Sequence, residues 1–260
     1  SLNISDLVIG LTVVAFGTSA PEFAVTIRAA ITGQTDISIG NVVGSNIFNL
    51  GFILGGTAMI RAINITPKLL YRDGIFLLLA TILIYVLFFG FNGWDIADAI
   101  SVAEGSVLFL ALIGYIIFLF IKKETIEETH PDSANMQSYL WFGVGLISIV
   151  VGGHLMVEHA SSLARAFGVS DWVIAVTIVA AGTSAPELAT SLTAAFKDKH
   201  GMAIGNLIGS DLFNLLGVLG LAGIINPTSI QSDIHSSIVV LIIMVSMVLF
   251  MMRTNWQITR

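Results

Sequence analysis

The sequence reads as an all-α polytopic membrane protein whose two halves repeat each other with inverted topology. Three observations predict this: scarce charge, eight long apolar runs, and a self-match at a fixed offset. Only 11% of the 260 residues are charged while 55% are hydrophobic, and the mean hydropathy is +0.92. A soluble chain carries about 25% charged residues, so an ordinary soluble domain is excluded, as is a disordered chain. The net charge of −6 and the pI near 5.2 exclude a phosphate-seeking basic surface, and with it nucleic acid as a partner. No cysteine is present, which removes disulfides, thiolate metal sites and a cysteine nucleophile. The partner that remains is the lipid bilayer; nothing in the sequence sets an oligomeric state.

A membrane-crossing helix needs about 20 mostly apolar residues. Eight runs meet that length, at 5–32, 37–60, 68–91, 95–121, 137–166, 170–196, 202–225 and 234–252. Turn-forming residues punctuate them in order: Gly33 with Asp36, Asn64 with Pro67, Asn92 with Gly93, Gly168 with Ser170, Asp198 to Gly201, and Asn226 with Pro227. The runs are too long for strands and do not alternate in polarity, which excludes a β-barrel reading. The one aqueous connection, at 122–136, is too short to be a domain and joins a first half, 1–121, to a second half, 137–260. The first run has no basic leader or cleavage-type end, so no signal peptide is read there.

Placing each Lys and Arg on a side of the membrane gives an orientation. If the chain starts on one side, that side collects Arg61, Lys68, Arg72, Lys122, Lys123, Lys197, Lys199, Arg253 and Arg260, against only Arg28 and Arg165 opposite. The positive-inside rule then predicts that residue 1 and the 122–136 loop are cytoplasmic, in a multi-pass protein of the inner (plasma) membrane.

Sliding the chain by 165 positions aligns SDLVIGLTVVAFGTSAPE, ending at Glu22, with SDWVIAVTIVAAGTSAPE, ending at Glu187. The match runs on without gaps, from GNVVGSNIFNL at Gly40 to GNLIGSDLFNL at Gly205, with about 26 identities over the 51 positions from Ser5 to Gly55. Apolar helices share Leu, Val and Ile by chance; sharing Gly, Thr, Ser, Pro, Glu and Asn in register marks a duplication. The repeats occupy 5–60 and 170–225, and five runs separate their starts. An odd number makes the second copy enter from the opposite face, the arrangement of secondary transporters whose site lies near the midplane. Symmetry also predicts a helix equivalent to 137–166 before Ser1 and one equivalent to 95–121 after Arg260, so the chain reads as eight helices of ten.

Two constellations carry chemistry. The first is Gly17-Thr18-Ser19-Ala20-Pro21-Glu22 and its twin Gly182-Thr183-Ser184-Ala185-Pro186-Glu187. Each proline lacks an N–H for the carbonyl four residues back, so the helix kinks there. Bent backbone within lipid is tolerated where it lines a cavity or is buried in protein. Thr18 and Ser19 precede Glu22 by four and three residues and share a face with it, next to carbonyls that the kink frees near Ala15 and Thr18. A carboxylate at mid-membrane is costly and marks function by default; the plainer reading, a protonated Glu bonded to a neighbouring helix, fits a single Glu better than two in twin kinked motifs.

The second constellation is Gly44-Ser45-Asn46-Ile47-Phe48-Asn49, matched by Gly209-Ser210-Asp211-Leu212-Phe213-Asn214. Ser45 with Asn49, and Ser210 with Asn214, lie one turn apart and can present oxygens to the kinked helices. Gly40, Gly44, Gly205 and Gly209 read as small faces for close helix packing. A donor set of oxygens with two carboxylates suits hard cations such as Ca²⁺, and the absence of His and Cys from the motifs disfavours transition metals.

These paired motifs resemble the α-repeats of the cation/Ca²⁺ antiporter superfamily, within its prokaryotic sodium/calcium exchanger branch, and the resemblance covers nearly the whole chain. It implies ten helices and an exchange of sodium for calcium by alternating access, with no cofactor beyond the transported ions. Proton/calcium members carry Gly-Asn-x-x-Glu where this chain has Gly-Thr-Ser-x-Pro-Glu, which favours sodium. The resemblance further implies that Glu22 and Glu187 bind Ca²⁺ with the carbonyls of Thr18 and Thr183. One flanking sodium site would use Ala15, Ser19 and Ser45, the other Ala180, Ser184 and Ser210, with Asn49 completing the central layer. The chain departs from archaeal and K⁺-dependent members at Asn214, where they carry Asp, which implies K⁺-independent exchange. Asp211, in place of the Asn at position 46, is either part of the site or a hydrogen-bonding residue at a helix contact.

Other polar residues read as less specific. His154, Glu158 and His159 form an interfacial or water-facing cluster, with a regulatory cation site as the alternative. Asp98 and Glu104 read as partnered polar contacts within the fourth run. Trp94, Trp141 and Trp172 read as interfacial anchors. The rival functions are a calcium/proton antiporter of the same fold and, more distantly, a non-transporting cation sensor. An intramembrane hydrolase using Ser19 or Ser184 has no base: neither repeat's first helix contains a His. The chain is therefore expected not to be an enzyme.

Overall fold

A computed structural model describes residues 5–90, 99–122, 136–229, 232–255 and 257–258. It is an all-α polytopic membrane fold. Six helices are long and apolar enough to cross a membrane, and two bent pairs bring the number to eight if each pair is one span. In chain order they are the pair α1 (Asp6–Thr18) and α2 (Ala20–Ile31), α3 (Ile37–Ile60), α4 (Leu69–Phe89), α5 (Val102–Ile121), α6 (Gly143–Ala166), the pair α7 (Asp171–Thr183) and α8 (Ala185–Phe196), α9 (His200–Ile225) and α10 (Ile234–Thr254). Their order matches the eight apolar runs.

The fourth run is shorter than its hydrophobicity suggested. α5 starts at Val102, not at 95, because Ser101 caps it: its side chain accepts from Glu104 N while the Glu104 carboxylate accepts from Ser101 N. Glu104 is thus a helix-capping residue. Asp98 and Trp94 lie outside the described residues, as does 123–135 within the predicted loop.

Helices α3 and α9 form the centre, with 72% and 83% of their apolar windows buried, against 28% for both α5 and α10. Glycines let them approach the kinked helices backbone to backbone. A Cβ on Gly44 would lie 2.6 Å from the Val176 carbonyl oxygen, and one on Gly209 would lie 2.7 Å from that of Leu11. Val176 and Leu11 are themselves 165 positions apart, so each repeat's second helix packs into the other repeat's first. Trp172 follows the same logic: it packs on the core with its ring against Gly40, and is no simple interfacial anchor. Trp141, by contrast, is 67% exposed. The outer helices turn large apolar side chains outward, among them Leu110, Ile117, Ile243 and Phe250, as a lipid-facing surface requires.

Two short ladders break the helical pattern. Ile63 and Asn64 pair antiparallel with Ile258 and Gln257, and Ala99 and Ile100 pair with Ser229 and Thr228. Residues 63–64 and 228–229 again differ by 165. The pseudo-symmetry therefore reaches past the matched motifs: in each half, the segment after the second span pairs with the segment after the third span of the other. The turns between the first two spans of each repeat match too, with left-handed backbone at Gly33 (φ 71°) and at its twin Asp198 (φ 58°). Glycine adopts this conformation without penalty, and Asp is among the few other residues that tolerate it.

Candidate cation site between the repeats

Pro21 and Pro186 break their helices where the sequence placed the kinks. α1 and α2 meet at 47°, α7 and α8 at 45°. The hinges are Ser19 (φ −76°, ψ 2°) and Ser184 (φ −81°, ψ 9°), which sit in the sparsely populated bridge region common at functional sites. The bends aim Glu22 and Glu187 into the protein at the head of their second segments, and both are fully buried.

All the candidate ligands named from the sequence are buried: Ala15, Thr18, Ser19, Glu22, Ser45 and Asn49 from the first repeat, Ala180, Thr183, Ser184, Glu187, Ser210 and Asn214 from the second. Most of their side-chain hydrogen bonds cross between repeats. Ser19 Oγ donates to Glu187 Oε1 at 3.2 Å and Ser184 Oγ donates to Glu22 Oε1 at 3.1 Å. Ser45 Oγ lies 3.3 Å from Thr183 Oγ1 and, more weakly, donates to Glu22 Oε1 at 3.5 Å; Ser210 Oγ lies 3.2 Å from Thr18 Oγ1. Among the described hydrogen bonds none joins Ser19 to Ser45 or Ser184 to Ser210, so these pairs, grouped by resemblance, are each tied to the opposite half. The Ala15 and Ala180 carbonyls are also less free than the kink suggested. Each accepts from the serine N–H four residues on, at 2.9 and 3.0 Å, and lies 3.3 and 3.2 Å from the threonine hydroxyl oxygen three residues on.

The sequence reading missed a supporting layer. Thr18 Oγ1 donates to Asn206 Oδ1 at 3.0 Å and Thr183 Oγ1 to Asn41 Oδ1 at 3.1 Å. Asn41 Nδ2 in turn donates to Thr26 Oγ1, and Asn206 Nδ2 to Ser191 Oγ, each at 3.0 Å. The signal was there: Asn41 and Asn206 are identical in the self-match, and positions 26 and 191 both carry a hydroxyl. Such partners fix the rotamers of the groups they hold, as outer-shell residues do around metals.

What the network leaves open defines its chemistry. Glu22 Oε2, Glu187 Oε2, Asn49 Oδ1 and Asn214 Oδ1 are buried with no hydrogen-bond partner among the described residues. All four are acceptors, so what satisfies them must be positive or a donor. No group of three His, Cys, Asp or Glu converges among the described residues. Asp211 adds a third carboxylate: it is fully buried, its Oδ1 accepts from Asn49 Nδ2 at 2.9 Å, and its Oδ2 has no partner among the described residues. His154 and Glu158 are 3.9 Å apart and largely exposed, consistent with a water- or interface-facing cluster.

Comparison with known proteins agrees with this geometry. The family described as sodium/calcium exchanger protein matches residues 1–121 and 137–260. The sodium/calcium exchanger MaX1 of Methanosarcina acetivorans is 33% identical over 299 residues, spanning 100% of this chain and 85% of that protein. The inner membrane protein YrbG of Escherichia coli is 31% identical, over 95% of this chain and 78% of its own length. A solved structure of the sodium-calcium exchanger NCX_Mj, soaked with 100 mM Na⁺ and 10 mM Sr²⁺, superposes with a TM-score of 0.80 at 34% identity, covering 100% of this chain and 82% of that one. The chain is a multi-pass membrane transporter rather than an enzyme, and it belongs to the sodium/calcium exchanger family.

Proposed function

We propose that the protein is a secondary antiporter exchanging sodium for calcium by alternating access, with Ca²⁺ and Na⁺ as its substrates. The observation that carries this is the set of four buried, unpartnered acceptor oxygens on Glu22, Glu187, Asn49 and Asn214, split evenly between two interlocked repeats. Two carboxylates balance one divalent ion, and six to eight oxygens are what Ca²⁺ takes. Thr18 and Thr183 would add carbonyl oxygens beside the carboxylates.

Sodium would compete through the serines. Ser19, Ser184 and Ser45 now donate to carboxylate oxygens. A hydroxyl that rotates away presents a lone pair instead, so a monovalent ion can take the hydroxyl and a share of the carboxylate that the divalent ion needs. Sites at Ala15, Ser19 and Ser45 and at Ala180, Ser184 and Ser210 would flank the calcium position, each completed by groups from the opposite half. Calcium and sodium then exclude one another, the requirement for exchange rather than co-transport. The inverted repeat supplies the two access states, since whichever half tilts, the same residues face the opposite side. The basic bias supports a cytoplasmic loop at 122–136, joining the halves 1–121 and 137–260.

A calcium/proton antiporter is the second reading, favoured by one observation: the third buried carboxylate, Asp211, keeps an unpartnered oxygen. Purified protein in sealed vesicles separates the two. ⁴⁵Ca²⁺ uptake driven by an imposed outward sodium gradient, and unaffected when a pH gradient is collapsed, is the result expected. Uptake that follows the pH gradient and ignores sodium would replace sodium by protons in the cycle.

A further inference from the structure

We propose that Asp211 and Asn46 act as positioning residues that orient the two site amides, so that Asn49 and Asn214 offer oxygen, not nitrogen, to the cation. This rests on the cation site proposed above. A side-chain amide is two-faced: turned one way it gives a cation an acceptor, turned the other it points two donors at a positive charge. Something must fix the turn. Asn49 Nδ2 donates to Asp211 Oδ1 at 2.9 Å, Asn214 Nδ2 donates to Asn46 Oδ1 at 3.1 Å, and Asn46 Nδ2 donates to the Asp211 backbone oxygen at 3.2 Å. Asn46 is therefore itself fixed by an acceptor that cannot reverse. Following from either ligand, each chain of donors ends at Asp211, one on its side chain and one on its backbone. The amide oxygens this leaves over, Asn49 Oδ1 and Asn214 Oδ1, both lack a partner among the described residues.

The twins are related by 165 positions, 46 with 211 and 49 with 214, and both side-chain bonds cross from α3 to α9. They differ in chemistry. Asn214 is held by an amide, Asn49 by a carboxylate, whose Oδ1 obliges the facing atom to be the nitrogen. An Asn at 211 could turn its own amide over and let Asn49 do the same. The structure thus assigns Asp211 a role one hydrogen bond behind the ion, acting through Asn49.

The test is a double-mutant cycle on purified full-length chain. Equilibrium ⁴⁵Ca²⁺ binding and sodium-driven flux are measured for Asp211→Ala, Asp211→Asn, Asn49→Ala and Asp211→Ala combined with Asn49→Ala. Expected are a rise of 10-fold or more in half-saturating Ca²⁺ for Asp211→Ala, a smaller rise for Asp211→Asn, and no further loss when Asp211→Ala is added to Asn49→Ala. Strictly additive losses, or unchanged Ca²⁺ affinity in Asp211→Ala, would overturn the proposal. Should Asp211→Ala fail to fold, the same cycle with Asp211→Asn decides by the same non-additivity. A parent protein that binds Ca²⁺ but shows no sodium-driven flux refutes the exchange reading alone, and the binding cycle still decides the role of Asp211. If the parent binds no Ca²⁺, both fall.

Discussion

The two repeats share a hydrogen-bond plan although about half of their matched positions differ, and two of the differences locate where symmetry is dispensable. Ser19 on Glu187 mirrors Ser184 on Glu22; Thr18 on Asn206 mirrors Thr183 on Asn41; Asn41 on Thr26 mirrors Asn206 on Ser191. Against these stand Asn46 opposite Asp211 and Gly33 opposite Asp198. The shared pairs are groups that would touch the ion or hold those that do. The unmatched pairs sit behind the two site amides at the α3–α9 contact and at a surface turn. The groups that would touch the ion are alike on both sides, and of those that hold them Asn41 and Asn206 are kept while the pair at 46 and 211 has diverged.

The sharpest way to break this comparison is to remove one carboxylate at a time. Glu22→Gln and Glu187→Gln should each abolish Ca²⁺ transport while the protein still inserts, since removing one partner of a buried charge interaction costs about 3–5 kcal/mol. Vesicle flux checks it, and near-normal transport by either variant would show that the halves are not equivalent at their centre.

Next in size is Asn214→Asp, which tests whether charge at this position matters. The unmodified site holds two carboxylates among its direct ligand candidates, with Asp211 one hydrogen bond behind, and its sodium-driven flux should be indifferent to K⁺. A further carboxylate about 4 Å from the ion changes cation binding by about 4 kcal/mol at an effective dielectric near 20, before desolvation. Asn214→Asp should therefore shift cation selectivity or add pH dependence, read by flux with and without K⁺ and across pH. A K⁺ requirement in the unmodified protein would remove position 214 as the source of the distinction.

Packing gives a smaller, symmetric effect. Gly44→Ala and Gly209→Ala push a methyl against the backbone of the opposite repeat, and overpacking of this kind costs about 1–3 kcal/mol. Gly55→Ala meets nothing within 4 Å and should stabilise by up to about 1 kcal/mol through helix propensity. Thermal unfolding in detergent separates the three; a Gly44 variant as stable as its parent would show that the contact relaxes freely.

The smallest effect belongs to the unmatched surface turn. Arg61 Nε donates to Asp198 Oδ1 at 2.9 Å, and His200 lies 3.7 Å from the same oxygen. Asp198→Gly relieves the left-handed backbone and loses an exposed ion pair worth about 0–1 kcal/mol, so the two changes should nearly cancel. A melting temperature moved by more than a few degrees (about 2–4 °C per kcal/mol for a chain of this size) would give Asp198 a larger part than its exposure suggests.

Much of this was legible because duplication prints itself twice. The spans, the kinks at Pro21 and Pro186, the carboxylates and the close-packing glycines all follow from residue types whose physics is local. What escaped was set by partners far away in sequence. That Ser45 meets Thr183, or that Asp211 turns Asn49, depends on how α3 lies against α7 and α9, which no spacing within one helix encodes. The start of α5 escaped for the opposite reason: a local capping box overrode hydrophobicity, which alone carried the fourth run back to residue 95. The ladders at 63–64 and 228–229 have only two residues each, too few for a period to be read.

The crossed serines have a consequence for how the protein is made. Glu22 waits for Ser184, 162 residues later in the chain, and Ser19 waits for Glu187, 168 residues later. A ribosome adding about 5–20 residues per second leaves Glu22 for roughly ten to thirty seconds with Ser45 as its one close hydroxyl. During that interval a first half already in the bilayer holds a carboxylate without its second serine and without the opposite glutamate. The proposed ion site is therefore complete only once α7 to α9 have joined the first half. A chain stopped after its first five spans would carry half the ligands and none of the bonds that join them to the other half.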